Sequence, residues 1–375
     1  MPAAEKVLIV GAGMCGMSLG VALGRAGIGC DIVEIRASLT EPGTGISLQG
    51  PALRALQMIG VLNQCISRGF GYSHFKACDA NGNVTGTVAL PRLVGATYPA
   101  TIGVLRQSVH EVLAGELASL EVPVRLGTSV KTLTQDGQGV TVEFTDGASG
   151  RYDLVVGADG MSSLIRDLAF GPEQRPRYTG QMVWRATVSR PEDVECRHSY
   201  FGPSNKSGFN PISDKQMYIY TVQNVPERPH WDDAELPSIL RGLLAEFGGA
   251  LGRVRDEVVS AEQITCRPVF SLILSPPWYR GRILVIGDAA HTTTPHLASG
   301  ASIAIEDSVV LARLLQSGRP LTESLPDFMQ QRFERCRIIV ANSEQLGEWE
   351  QHPGASDDDT VGVIARSYQA LAAPV

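Results

Sequence analysis

Several protein classes are excluded by what this sequence lacks. Its seven cysteines contain no C-x-x-C pair, which argues against a disulfide framework or a structural zinc site. It has no basic surplus: 32 Lys+Arg stand against 39 Asp+Glu, a formal net charge of −7, whereas a nucleic-acid binder needs a basic face. It has no repeat of 20–50 residues and no low-complexity tract. It also lacks an unbroken run of the ~18 apolar residues that a membrane helix requires. The nearest, from Val7 to Leu23, is interrupted by Gly11, Gly13, Gly16 and Gly20. Each of these costs a helix roughly 1 kcal/mol, which also separates the segment from a secretory leader. We therefore expect a cytoplasmic protein that binds neither nucleic acid nor membrane.

What is present is ordinary globular composition, 43% hydrophobic and 19% charged over 375 residues. That length supports two domains, or one large domain with an inserted lobe. The patterning is α/β. Lys6–Val10 reads as a doubly buried strand, Met14–Ala26 as a helix and Cys30–Val33 as a second strand. Leu53–Ile66 and Arg106–Leu120 read as amphipathic helices, Leu154–Val156 and Ile283–Ile286 as buried strands, and Ser302–Leu315 as a long helix. Val124–Leu126, Val130–Thr134 and Val140–Phe144 read as a small meander turned at Asp136-Gly137 and Asp146-Gly147. Residues 174–276 are richer in Tyr, Trp, Phe, Pro and Asn and read as a β-rich lobe, with 72–100 joining it. Residues 351–375 read as a polar, loosely packed tail.

Three motifs carry chemistry. The first is Gly11-Ala12-Gly13-Met14-Cys15-Gly16, which leaves a strand, opens a helix and is followed by Glu34 at the end of the next strand. This is the dinucleotide fingerprint in its required context. Gly11 makes the turn, Gly13 lets the backbone approach a pyrophosphate, and Gly16 begins a side-chain-free helix face continued by Gly20 and Gly24. The helix N-terminus favours phosphate, Glu34 suits a ribose diol, and Arg36 lies nearby. Cys15 reads as a packing residue, since no base stands beside it.

The second motif runs from Tyr152 through Gly157-Ala158-Asp159-Gly160 to Ser163 and Arg166. The third is Arg282–Ile286 followed by Gly287-Asp288-Ala289-Ala290-His291. Each delivers an acid at the carboxyl end of a strand, where ligands of open α/β sheets bind. A second acid more than 250 residues downstream of Glu34 suits an extended cofactor such as FAD, with Asp288 on the ribityl chain. The helix opening at Gly300 and Ala301 would aim N–H groups at the flavin edge, where reduction places negative charge.

Together these stretches resemble the three fingerprints of the single-component (group A) FAD-dependent aromatic hydroxylases of the para-hydroxybenzoate hydroxylase fold. Gly43-Thr44-Gly45-Ile46 and Ala289–His291 with Pro295 bring it nearest to the salicylate and 6-hydroxynicotinate 3-monooxygenase types. The resemblance implies a Rossmann-like FAD-binding domain (1–71, 101–173 and 277–350) with an inserted β-rich substrate domain (72–100 and 174–276). It implies cofactor contacts from Arg106, Asp159, Asp288, Pro295 and the 298–301 segment. Ser299 departs from the Gln or Gly of many relatives. The implied reaction takes a hydride from NADH or NADPH, adds O2 at the flavin C4a carbon, and passes OH from the hydroperoxide to a small phenolic or hydroxypyridine-type ring. No metal is needed, and the chain would act as a monomer or homodimer.

For substrate and catalysis the residues leave alternatives open. His296, beside the flavin-cradling loop, either accepts a ring proton near neutral pH or only packs; Tyr218 is the second catalytic candidate. His291 reads as structural. Trp184, Arg185, Phe201, Phe209, Tyr218 and Tyr220 either wall a pocket or fill the space between sheets, and Ser47 lies across the flavin. Rival readings are an epoxidase, halogenase or reductase on the same scaffold, a nicotinamide dehydrogenase using the first motif alone, or a non-catalytic flavin-binding protein. The chain has no G-W-x-W-x-I-P signature, which weakens the halogenase.

Overall fold

The computed structural model describes residues 3–40, 43–352 and 359–375. At its centre is a six-stranded sheet in the order Tyr279–Arg280, Ile283–Val285, Leu154–Gly157, Lys6–Val10, Gly29–Glu34, Val124–Leu126. All neighbours are parallel except the first pair. The inner strands are apolar on both faces, as a sheet covered on both sides requires: Val7, Leu8 and Ile9 have no exposed surface. The parallel order sends the chain ends after Val10, Gly157 and Val285 to one edge, so the three motifs meet there.

Helix Met14–Arg25 packs against helices Gly300–Gln316 and Arg106–Ser119. Its bare face is used. A Cβ on Gly20 would come within 2.7 Å of Ile32, and one on Gly16 within 2.0 Å of the Gly11 carbonyl oxygen.

The second large element is a seven-stranded sheet, in the order Ile264–Ser271, Arg177–Ser189, Gln216–Asn224, Lys206–Pro211, Arg197–Phe201, His74–Asp79, Val84–Ala89. The last two strands come from the 72–100 excursion, and His74–Asp79 runs parallel to Arg197–Phe201. Period-two alternation splits this sheet cleanly. Trp184, Ala186, Phe209, Met217 and Ile219 face one way, into a core shared with Leu240, Leu244 and Leu251 of two covering helices. Val183, Arg185, Tyr218, Tyr220 and Val222 face the other way, into a cavity.

Three expectations from the sequence are corrected. Val124–Leu126 is the outer strand of the parallel sheet, and the meander is Val130–Gln135, Val140–Phe144 and Ser149–Tyr152. The expected Leu53–Ile66 helix is two helices, Gly50–Met58 and Leu62–Ile66. Between them Gly60 adopts φ +73°, the left-handed turn that ends a helix. The tail is not loose. Helix Thr360–Ala372 buries Val363, Ser367 and Leu371 and packs on the 31-residue helix Leu321–Gln351. Arg335 Nη2 donates to Leu371 O at 2.7 Å and Arg54 Nη2 to Ala373 O at 2.9 Å, binding carbonyls that a helix end leaves free. Residues 353–358, part of that expected tail, lie outside the described residues.

Candidate functional site

One cavity of about 640 Å³ runs from the glycine turn to the seven-stranded sheet. At its first end, Gly11 (φ +104°) lies so close to the second motif that a Cβ would sit 2.5 Å from Ala158 O. Gly13 is the reverse case: a Cβ there meets nothing within 4 Å, because it would point into the cavity. Gly13 is also the N-cap of its helix and carries no capping side chain, so the first N–H groups stay free for an anion. Glu34 is 6% exposed. Its Oε2 accepts from Ala12 N at 2.8 Å and its Oε1 from Arg36 N at 3.0 Å, which fixes the carboxylate and leaves Oε2 a lone pair for a diol. Arg36 Nε stands 3.3 Å from Oε1.

In the middle, Asp159 lines the cavity, but its carboxylate caps helix Leu164–Phe170. Oδ1 accepts from Ser163 Oγ at 2.6 Å and Oδ2 from Ile165 N at 3.1 Å. Burial pushes its pKa up, and these hydrogen bonds oppose the rise. Arg166, 1% exposed, donates to Ala289 O at 3.1 Å and Met161 O at 2.9 Å, tying the second motif to the third.

Asp288 points into the cavity and is exposed there. Its place deep in the cleft raises its pKa, while His291 and Arg106 oppose that. The loop behind it hangs on Asp307, whose Oδ2 accepts from Gly287 N at 2.9 Å and faces His291 Nε2 at 2.6 Å. Burial disfavours a charged His291, yet Cys336 and Asp307 hold its pKa well above the usual range. His291 therefore fastens the loop. His291, Asp307 and Cys336 offer a trio of metal-ligand atoms within 4.8 Å of one another. A guanidinium already serves as the cation there: Arg332 Nε donates to Asp307 Oδ1 at 2.7 Å and Nη2 to Cys336 Sγ at 3.6 Å.

Pro295, Gly300 and Ala301 line the cavity where helix Gly300–Gln316 begins. Ser299, the departure noted in the sequence, donates to Gln49 Oε1 at 3.0 Å and Leu297 O at 2.9 Å. It staples this loop to strand Gly45–Gln49.

At the far end the wall is polar. Ser47 Oγ and Tyr72 OH both donate to Asn210 Oδ1 at 3.0 Å, and Ser47 Oγ lies 3.2 Å from Tyr218 OH. Burial raises the Tyr218 pKa, while Arg185 and Ser47 work against the rise. Gly208 carries no side chain because the Tyr220 ring crosses it: a Cβ would be 2.5 Å from the Tyr220 hydroxyl. That hydroxyl reaches Ser199 Oγ at 3.0 Å.

Arg106, Ser47, Arg185, Tyr218 and Tyr220 thus line the cavity together with the glycine turn. Three expected pocket residues do not. Phe209 has no exposed surface and sits in the core behind the sheet, paired with Ile219 on the opposite face from Tyr218; Trp184 lies there too. Phe201 is 52% exposed at its strand's end, beneath the Lys206 ammonium. His296 is also differently engaged from a free base. Its side chain is fully buried, Nδ1 lies 2.9 Å from Thr294 Oγ1, and Nε2 lies 3.2 Å from Glu350 Oε2. Nε2 faces that carboxylate without a well-formed hydrogen bond.

Sequence reasoning missed Tyr72, Asn210, Arg197, Lys206, Glu350 and Tyr368. Asn210 and Lys206 were within reach, since they share parity with Gly208 on one short strand. Glu350 was not, because its partner Lys206 lies 144 residues away.

The residues fit a bound FAD. Gly13 and Gly160 leave open space where side chains would stand, and Asp288 and Glu34 present carboxylates along one cleft. Fold and cleft therefore define a flavin-binding protein. The comparisons agree. The profile of a family described as "FAD binding domain" matches residues 4–323, and the chain belongs to that family. The 2-heptyl-3-hydroxy-4(1H)-quinolone synthase of Pseudomonas aeruginosa is 33% identical over 351 residues, covering 92% of this chain and 90% of that one. The 6-hydroxynicotinate 3-monooxygenase of Bordetella bronchiseptica is 27% identical over 328 residues, covering 84% of each. Klebsiella pneumoniae HpxO, solved with FAD and uric acid, has the same fold: TM-score 0.83 at 24% identity, covering 98% of this chain and 92% of that one. With these relatives the protein is a flavin-dependent monooxygenase of the aromatic hydroxylase fold. Among the described residues no helix is long and apolar enough to cross a membrane.

Proposed function

We propose that the protein hydroxylates a small aromatic or heteroaromatic ring, with NADH or NADPH as electron donor and O2 as co-substrate. The observation that carries this reading is the continuity of the cavity. A single space joins the Gly13 turn, Asp288 and the Gly300 helix start to the polar wall of Ser47, Tyr218 and Tyr220. FAD bound there supplies the electron transfer and oxygen activation. Glu34, Gly13 and Asp288 hold its length, and the N–H groups at Gly300 favour negative charge at its edge.

The rest of the chemistry belongs to the far wall. Ser47 and Tyr72 spend their protons on Asn210, so in the contact of Ser47 with Tyr218 the tyrosine is the donor. That leaves lone pairs on the Tyr218 oxygen for a ring hydroxyl of the substrate. Tyr218 accepts the ring's hydrogen bond while its own proton rests on Ser47, which orients the ring. His296 is a positioning residue, holding Thr294 and Glu350 in place beside the loop. Val183, Val222 and Val269 form an apolar patch at the same wall and keep water from it.

The test is a screen of phenolic and hydroxypyridine acids for stimulated NAD(P)H consumption, with product mass read in each case. A gain of one oxygen, or of one oxygen less carbon dioxide, supports the reading. Stimulated consumption that yields only hydrogen peroxide from every ring tried would count against it.

A further inference from the structure

We propose that Tyr368 sets the length of substrate that the site accepts. Its side chain plugs an apolar passage between the substrate end of the cavity and the surface, so compact rings are taken and rings carrying a long alkyl chain are refused. This rests on the proposed function, since it concerns which rings reach that wall.

Two spaces share one floor. In strand Gly45–Gln49, Ser47 and Gln49 are two residues apart and face the same way, about 7 Å along the strand. Ser47 lines the large cavity, whereas Gln49 lines a second pocket of about 10 Å³, the room of a single water. Gln49 pairs with Thr101 and Thr101 with Tyr72. This row of the three-stranded sheet therefore starts under the small pocket and ends in the polar wall, where Tyr72 meets Asn210. The small pocket is bordered by apolar groups, among them Leu90, Pro91, Leu93, Ala100 and Leu371. Pro91 is exposed and Leu90 and Leu93 are half-buried, so the pocket reaches the surface.

Tyr368 stands between the two spaces. It lines the small pocket. Its hydroxyl reaches the far side, where it meets Arg197 and lies close to Lys206, Tyr220 and Tyr72. Of these, Arg197, Lys206 and Tyr220 line the large cavity. The ring is held in place from both ends. Arg197 engages its hydroxyl, and its helix is seated through Val363, Ser367 and Leu371, with Asn342 Nδ2 donating to Ser367 Oγ at 2.9 Å. A packed interior does not take up extra methylenes without strain, so a chain aimed at this ring finds no room. Without the ring, the pocket would join the cavity and offer the chain a leucine and proline surface.

The relative at 33% identity is named for a ring with a heptyl chain; the plug predicts a different preference here. The patch of Val183, Val222 and Val269 on the seven-stranded sheet is the other course open to a chain, and the test separates the two.

The FAD-loaded protein is titrated with 4-methylphenol, 4-butylphenol and 4-heptylphenol, and with 2-methyl-4-quinolone against 2-heptyl-4-quinolone, followed by calorimetry and by flavin absorbance. In the wild type, affinity should fall at least tenfold from the methyl to the heptyl member of each series that binds. Tyr368→Ala should bring that fall below threefold or reverse it. Tyr368→Phe keeps the ring and should keep the wild-type ranking, which separates the plug from the hydroxyl contact. Leu93→Trp added to Tyr368→Ala refills the passage and should restore the fall. FAD content and melting temperature certify each fold, and Tyr368→Leu carries the test if the alanine variant is unstable. A heptyl ring bound by the wild type as tightly as its methyl counterpart would send the chain along the valines and overturn the proposal. So would an unchanged ranking in Tyr368→Ala, or no binding of any probe to either protein. Product mass keeps the two claims apart. Hydroxylation of a methyl-substituted ring, with one ranking in both proteins, sinks the plug and spares the function. A ranking that changes as expected, with no ring hydroxylated, sinks the function and spares the plug.

Discussion

Glu350, one residue before the end of a 31-residue helix, places its carboxylate 2.6 Å from Lys206 and 3.2 Å from His296. That one side chain joins the C-terminal helix, the cavity wall and the loop at the helix start of Gly300. Burial pushes its pKa up, but Lys206 and then His296 pull it down to about 2. A carboxyl depressed on folding contributes stability above its unfolded value of about 4.5, and that contribution is lost as pH falls through about 2. Glu350→Gln should cost roughly 2–3 kcal/mol at neutral pH, less than the 3–5 of a fully buried pair because the group keeps some exposure. It should also flatten the acid limb of the stability curve between pH 4.5 and 2. Urea unfolding of both proteins across that range measures it. Parallel curves down to pH 2 would show that the pairing contributes nothing.

Tyr368, on helix Thr360–Ala372, lies against Arg197, which lines the cavity. Tyr368→Phe should loosen that guanidinium without removing it. Substrate KM should rise several-fold, while kcat changes by less than twofold. A variant with both constants unchanged would make the tyrosine a packing residue only.

The glycine turn gives a sharper contrast. A side chain at position 13 meets open space, so Gly13→Val should fold normally, with a melting temperature within a few degrees of the wild type without FAD. It should nevertheless lose FAD at least tenfold, since the side chain would occupy cofactor space. Thermal unfolding and cofactor release, measured together, separate the two effects. Retained FAD would place the pyrophosphate elsewhere.

Asp288 makes the companion prediction for the third motif. It faces the cavity and its carboxylate accepts no hydrogen bond from a side chain of the described residues, so Asp288→Ala should leave stability within about 1 kcal/mol. Flavin retention should fall. Full flavin content after gel filtration would mean that the third motif does not touch the ribityl chain.

Asp307 should behave oppositely. Its buried carboxylate holds Gly287 N, His291 and Arg332 at once. Asp307→Asn leaves a buried guanidinium and imidazole with less counter-charge and should cost roughly 3–5 kcal/mol. Chemical denaturation checks this.

The cofactor end was legible because its chemistry is local. A tight turn, a backbone approach and an acid at a strand end each leave a short signature, so Gly11–Gly16 with Glu34, Gly157–Arg166 and Gly287–Asp288 could each be read within its own stretch of chain. The substrate wall was only half legible. Tyr218 and Tyr220 could be put on one face by parity alone, but which face is the cavity depends on register. Phe209 pairs with Ile219, so it turns into the core, and no property of its own strand says so. The Arg332–Asp307–His291 cluster and the Glu350–Lys206 pair close over separations of 16 to 144 residues, which periodicity does not encode. Helix Thr360–Ala372 was missed because its polar approach resembled a loose tail. Its anchors, Arg54 and Arg335, lie on other helices, 319 and 36 residues upstream of the carbonyls they hold.

The most direct measurement is of the cofactor itself. Protein purified without added flavin, or incubated with FAD and desalted, should carry a flavin absorbance spectrum and release one FAD per chain on denaturation. A colourless protein that takes up no FAD under those conditions would contradict the account at its root.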